Sequence, residues 1–225
     1  MFSSAIQRLN DRRHAAGEVG EDAGFTLIEL MVVLLILAIL LAIAIPTFLG
    51  VTKSANDRAA QSNLNTGMLN AKAAYQSNSQ TYQGTKPVTN TVLQSAEPSL
   101  SFLAAVASPA SGNSTGQGVL SVFPTTDGNA IILGAFSKSN NCWYQIDNPS
   151  GSTAVAGPFN TTFTGANGTV TSLASTTIAF PSNVAGTIYV EVKGDSTLAD
   201  CNSALPKGVV GTNNYEWSTT KFPTL

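Results

Sequence analysis

Histidine and charge are what this 225-residue chain has least of. Its single histidine, His14, precedes the long apolar segment, so nothing after that segment can complete a Ser-His-Asp arrangement. Gly112-Asn113-Ser114-Thr115-Gly116 matches G-x-S-x-G in letters, but it lies in a polar stretch without the strand-turn-helix setting that exposes such a serine. Ser218-Thr219-Thr220-Lys221 matches S-x-x-K and lacks the companion motifs. The chain therefore reads as a non-enzyme, and no cofactor is called for. Only 11% of residues are charged and the formal net charge is −2, with no cluster of basic and aromatic side chains. That balance argues against specific nucleic-acid binding. A Ser/Thr/Asn-rich exterior with so little charge is unusual for a soluble monomer. It suits a subunit that lives packed against copies of itself.

What the chain does have is one unbroken apolar run, from Gly24 to Pro46: GFTLIELMVVLLILAILLAIAIP. Its roughly 20 residues, at 1.5 Å each, are enough to cross the hydrocarbon core of a bilayer. Inside the run sits one carboxylate, Glu29, which would cost up to roughly 3 kcal/mol if ionised at the centre of a membrane helix. It needs a partner, and no Lys or Arg occurs between Arg13 and Lys53. A cut between Gly24 and Phe25 would create a cation nearby. An ordinary secretory signal has a shorter core and is cut after it. Here the residues after the run, IPTFLGVTKSANDRAA, continue as helix.

Gly24-Phe25-Thr26-Leu27-Ile28-Glu29 followed directly by that run resembles the class III signal of type IV prepilins, which also occurs on the pseudopilins of type II secretion systems. The resemblance is close over about residues 20 to 60. It implies that a membrane aspartyl peptidase cuts after Gly24 and methylates the new N-terminus at Phe25. It also implies that Glu29 pairs with the Phe25 α-ammonium of a neighbouring subunit, which sets registry in a low-dielectric bundle. Residues 1–24 are then a leader, and Arg8, Arg12 and Arg13 place it in the cytoplasm. The implied protein is a structural subunit, stored in the inner membrane and assembled into an extracellular filament for adhesion, motility or DNA uptake. Its implied partners are copies of itself, the peptidase and methylase, an assembly ATPase, an inner-membrane platform, and membrane lipid before assembly. A type II secretion pseudopilin carries the same signal and stays open as an alternative. So does a membrane-anchored binding module or enzyme.

The expected fold is α+β: a long kinked N-terminal helix packed on a C-terminal antiparallel sheet. The helix comprises the filament-core segment 25–46 and an amphipathic continuation 47–76. Together they make roughly 50 residues and about 75 Å. Pro46 removes one hydrogen bond and is expected to kink the helix rather than end it. Many pilins have a glycine within the apolar run; Ala38 and Ala42 stand here instead. Ala55, Ala59, Leu64, Met68, Ala71 and Tyr75 fall on one helical face, with Lys53, Asp57, Arg58, Gln61 and Lys72 largely off it.

Residues 77–118 read as a polar connection, with a short helix expected over Ser99 to Ala107 after Pro98. Residues 119–225 carry the sheet. Val119–Phe123, Ala130–Phe136, Cys142–Ile146 and Thr187–Val192 are β-branched and aromatic runs, and Asp127-Gly128 is a hairpin signal between the first two. The insertion 148–185 reads as loop with some strand, with a possible hairpin over Thr169–Phe180. With export implied and an even cysteine count, Cys142 and Cys201 are expected to form a disulfide, two separate buried thiols being the alternative. The tail bearing Tyr215, Trp217 and Phe222 is expected to fold back on the sheet. Asp195 and Asp200 read as solvated loop acids rather than a Ca²⁺ site, so no metal is expected. Asn113, Asn160 and Asn167 begin N-x-S/T patterns of the kind so Ser/Thr-rich a chain produces by chance.

Overall fold

The chain was analysed as a computed structural model, which describes residues 25–107, 110–151, 159–160, 167–170, 180–181, 184–193, 201–204 and 215–223. One helix dominates. Helix α1 runs without interruption from Leu27 to Ser77 and contains Pro46. Proline has no N–H to give the preceding turn. The Thr47 hydroxyl donates into that turn instead, to the carbonyls of Ile43 (3.2 Å) and Ala44 (2.9 Å). The chain divides into two compact units, Met1–Leu49 and Gly50–Leu225, with the boundary inside α1.

The second unit is α+β. A second helix, α2, spans Asn90–Ala96. Among the described residues eleven strands follow: β1 Ser101–Ala104, β2 Val106–Ala107, β3 Ala110–Ser111, β4 Val119–Pro124, β5 Ile131–Ser137, β6 Asn141–Asn148, β7 Phe159–Asn160, β8 Asn167–Val170, β9 Phe180–Pro181, β10 Gly186–Val192 and β11 Tyr215–Ser218. Seven of them form one sheet in the order β1-β4-β5-β6-β10-β11-β8. The meander β4-β5-β6 and its extension by β10 are antiparallel, with Leu133 opposite Gln145 and Val190 opposite Tyr144. The sheet is mixed at one edge, because β1 pairs parallel to β4.

The two faces of the sheet carry separate cores. Toward α1, Leu120, Val122, Ile131, Leu133, Ala135 and Trp143 meet Ala60, Leu64, Met68 and Ala71. On the other face, Ile132, Tyr144, Ile146, Ile188, Val190 and Val192 meet Phe180, Cys201 and Trp217. This alternation along every strand follows from side chains pointing to opposite faces in turn. It also explains why β5, IILGAFS, reads as a continuous apolar run: both of its faces are covered. The disulfide Cys142–Cys201 ties the covering segment to β6, with Cα atoms 5.4 Å apart. Ser203 ties it to β4 through its backbone N–H (3.0 Å) and a hydroxyl contact (2.8 Å), both to Ser121 Oγ.

Two expectations need correction. Ser99–Ala107 is not helical: Ser101–Ala104 is β1, and the short helix lies earlier, at α2. There the Thr89 side chain caps the helix by accepting from the Val92 N–H. As a strand, the segment pairs Phe102 beside Leu120 and buries it in the core. The expected helix face holds at Leu64, Met68, Ala71 and Tyr75 and departs at its start. Asp57, Ala60, Leu64, Gly67, Met68 and Ala71 are buried, whereas Ala55 is exposed and Ala59 half-buried. The hairpin signalled by Asp127-Gly128 does form, since β4 and β5 pair antiparallel across it, through a loop closed by Thr125 and Ala130. Its Gly128 has φ +73°, and a Cβ there would stand 2.2 Å from Thr81 Oγ1. Of the possible Thr169–Phe180 hairpin, Thr169 and Val170 pair with β11 and Phe180 pairs with β7, while 171–179 lie outside the described residues.

Candidate functional site

The feature that sets this chain apart is the apolar segment of α1 in the first unit. Every large hydrophobic residue from Leu27 to Leu49 keeps roughly half or more of its surface exposed, Leu27 76% and Leu37 48% among them. Leaving one such side chain in water forgoes about 1.5–3 kcal/mol of burial. A stretch of this kind needs lipid or other helices around it. From Leu27 to Ile45 it rises roughly 28 Å at 1.5 Å per residue, close to the thickness of a bilayer core. This makes α1 a candidate membrane anchor.

The start of the helix is built by Thr26 and Glu29. The Thr26 hydroxyl accepts from the Glu29 N–H (3.3 Å). The Glu29 carboxylate reaches back to accept from the Thr26 N–H (2.9 Å) and the Thr26 hydroxyl (2.7 Å), both on Oε2. The Thr26 carbonyl accepts from the Leu30 N–H. This is a capping box, two residues satisfying each other's orphan donors at a helix N-terminus. Sequence reasoning singled out Glu29 and missed its box with Thr26, although T-x-x-E directly before an apolar run is the signal for one. Phe25 stands just outside the helix and is 89% exposed. Gly24 lies outside the described residues.

The second unit carries its polar chemistry between α1 and the sheet. Asp57, almost fully buried, accepts from the Trp143 indole N–H (2.9 Å) and from the Ser139 hydroxyl. One face of the helix further on, Lys72 pairs with Asp147 (3.0 Å) and donates to the Thr187 hydroxyl. Asp147 also accepts from the Tyr82 phenol (2.6 Å). Burial first, and then the Asp147 charge, pushes the Tyr82 hydroxyl well above its ordinary range. Across β6, β10 and β11, Trp143, Glu191 and Glu216 stand in register. Glu191 has no exposed surface, and burial pushes its carboxyl up to about 7 against the pull of Lys193. Burial works against the Lys193 ammonium, but Glu191 and Glu216 outweigh it and hold its pKa above the usual value.

These groups brace the fold, and the G-x-S-x-G string does the same. Ser114 is buried; its hydroxyl donates to the Val119 carbonyl and accepts from the Phe136 N–H. Asn113 accepts from the Asn202 amide at 2.7 Å. Phe222 packs edge-on against Trp143 and Tyr189, so the tail does fold back, while Trp217 is buried on the opposite face. His14, Asp195 and Asp200 lie outside the described residues. Among the described residues no group of three or more His, Cys, Asp or Glu side chains could hold a metal ion.

Residues 21–45 match the family described as the prokaryotic N-terminal methylation motif, the class III signal of type IV pilins. No curated protein and no solved structure matches the chain. The motif supports a precursor of the pilin or pseudopilin kind, a structural subunit rather than an enzyme. That kind of precursor implies a peptidase that processes it and a filament into which it assembles.

Proposed function

We propose, with that methylation motif as premise, that the chain is the subunit of an extracellular type IV pilus-like filament. It is stored in the inner membrane by α1 with its N-terminus in the cytoplasm. The peptidase cuts between Gly24 and Phe25 and methylates Phe25. The single observation that carries this reading is the contrast along α1: the second unit completes its core within one chain, while Leu27–Leu49 stays bare. Copies of the chain, packed helix on helix, would cover those side chains.

Cleavage creates an α-ammonium next to the capping box. Among the described residues Thr26 serves the Glu29 carboxylate. In the filament the Phe25 ammonium of a neighbour would add the missing charge, which is worth far more in a low-dielectric bundle than in water. Pro46 is the place where the helix would bend to fit its neighbours. An assembly ATPase and a membrane platform would drive export.

Glu29→Gln tests the proposal. Glutamine also serves a capping box, so helicity and membrane insertion should match the wild type, while filament yield falls at least tenfold. A variant that assembles normally would sink the ion pair. Mass spectrometry of sheared surface material tests the rest: the filament reading expects an abundant chain beginning at N-methyl-Phe25. A processed chain confined to the membrane fraction would instead indicate a secretion pseudopilin, and an uncut chain an anchored module.

A further inference from the structure

Among the described residues of the second unit, Glu191 is the buried carboxylate whose surroundings do not suit its charge. It sits on β10 directly opposite Glu216 on β11, and like charges facing each other across an antiparallel pair are destabilising. Asp57 of α1 adds a third carboxylate. Against these three stands one ammonium, Lys193, at 3.6 Å from Glu191 Oε2 and 3.2 Å from Glu216 Oε1. Strand β6 supplies one neutral donor, the Asn141 amide, to Glu191 Oε1 at 3.1 Å. The other oxygen, Oε2, is buried and has only the 3.6 Å ion pair with Lys193, with no hydrogen bond within normal distance among the described residues. Asp57 is better served, since Trp143 and Ser139 both donate to it. Among the described residues Asp57, Lys193 and Glu216 are the charged groups acting on Glu191.

A water-excluded carboxylate whose one cation, Lys193, is shared with the carboxylate directly opposite is a place for a proton. We propose that Glu191 is a buried proton-binding site that latches strand β11 to the sheet: protonated, it lets Lys193 hold Glu216 across the β10–β11 pair, and ionised, it repels Glu216 and loosens β11. The latch lies wholly within the second unit and does not depend on the filament reading. Its sign is opposite to that of an ordinary salt-bridged carboxylate. The folded-state affinity for the proton is raised, to about 7 from an unfolded value near 4.5, so the stabilising contribution is full below about pH 4.5. It is lost as pH rises through about 7.

The test is hydrogen exchange on the full chain in detergent micelles, followed at the β11 amides between pH 5.5 and 8.0 and corrected for the intrinsic pH dependence of exchange. Wild-type protection at Glu216–Ser218 is expected to fall about tenfold or more over this range. Glu191→Gln, which is neutral throughout, should change less than twofold. If Glu191→Gln does not fold, Glu216→Gln carries the test. It removes the opposing carboxylate and should cut the wild-type response at least threefold. A wild-type protein whose β11 protection is independent of pH, or a folded Glu191→Gln that keeps the wild-type response, overturns the proposal.

Discussion

Replacing Gly67 with alanine sets two effects of known size against each other. Gly67 lies in the middle of α1 and is buried against the sheet. In an exposed helix, Gly→Ala is worth about 1 kcal/mol of stability, because glycine loses more backbone freedom. At Gly67 the added Cβ would stand 2.8 Å from Leu120 Cδ1 and 3.2 Å from both Leu133 Cδ1 and Phe102 Cε1. Those three side chains are buried in the same core, so a methyl displaced by the new Cβ meets other core atoms rather than solvent. Overpacking of this kind costs about 1–3 kcal/mol. The clash outweighs the propensity gain, and the net effect should be a loss of about 1 kcal/mol, or about 2–4 °C in Tm for a chain of this size. Gly67→Leu has no such room at all and should cost about 3 kcal/mol or more.

The assay is urea unfolding of the full chain in detergent micelles, read by tryptophan fluorescence. Trp143, in the core between α1 and the sheet, reports on that interface. Ala73→Gly provides the control, since Ala73 is exposed on the same helix and reports propensity alone, a loss of about 1 kcal/mol. If helix and sheet were loosely spaced at Gly67, Gly67→Ala would instead raise stability by the amount that Ala73→Gly lowers it. That mirror-image result would refute the close approach.

Two further perturbations probe the rest of the second unit. Reducing the Cys142–Cys201 bond, which spans 59 positions, should cost about 4 kcal/mol in the chain-entropy treatment. The urea midpoint of the wild type should therefore drop with reductant, while Cys142→Ser combined with Cys201→Ser should show no response to reductant. Lys72→Met should cost about 1–2 kcal/mol, less than a fully buried pair, because Lys72 is 41% exposed and Asp147 keeps its bonds from Tyr82 and Thr187. Adding Asp147→Asn to Lys72→Met should restore part of that loss in the same unfolding assay, as the stranded charge is removed.

The parts of this fold that could be read from the sequence are those written by periodicity within one segment. The apolar run, the helix that continues past Pro46 and the four strong strands all announce themselves within a dozen residues. What escaped depends on partners far away. Asp57 reads as a solvent-side charge because its partners Ser139 and Trp143 lie 82 and 86 positions on. The face of α1 is legible at Leu64, Met68 and Ala71 but not at its start, because alanine and glycine carry little hydropathy signal and Ala55 and Ala59 cannot be told from Ala60 and Gly67. The second face of the sheet was invisible for a related reason. Its cover comes from Phe180 and the Cys201 segment, islands in polar sequence that only the folded chain brings over Tyr144 and Ile146.

These hidden polar partners do what the legible apolar ones cannot. Leu64, Met68 and Ala71 would bury as well if α1 slid by a turn or rolled by a few tens of degrees, because apolar contact is not directional. Asp57 on Trp143 and Lys72 on Asp147 do not permit that. They are 15 positions apart on one helix, about 22 Å along its axis, and both meet strand β6. Two directional bonds so far apart fix slide and rotation together, and Gly67 between them fixes the distance. Losing the Asp57 or Lys72 contact should therefore loosen the register of residues 57–72 of α1 on the sheet as well as lower stability, and hydrogen exchange along β6 would read both.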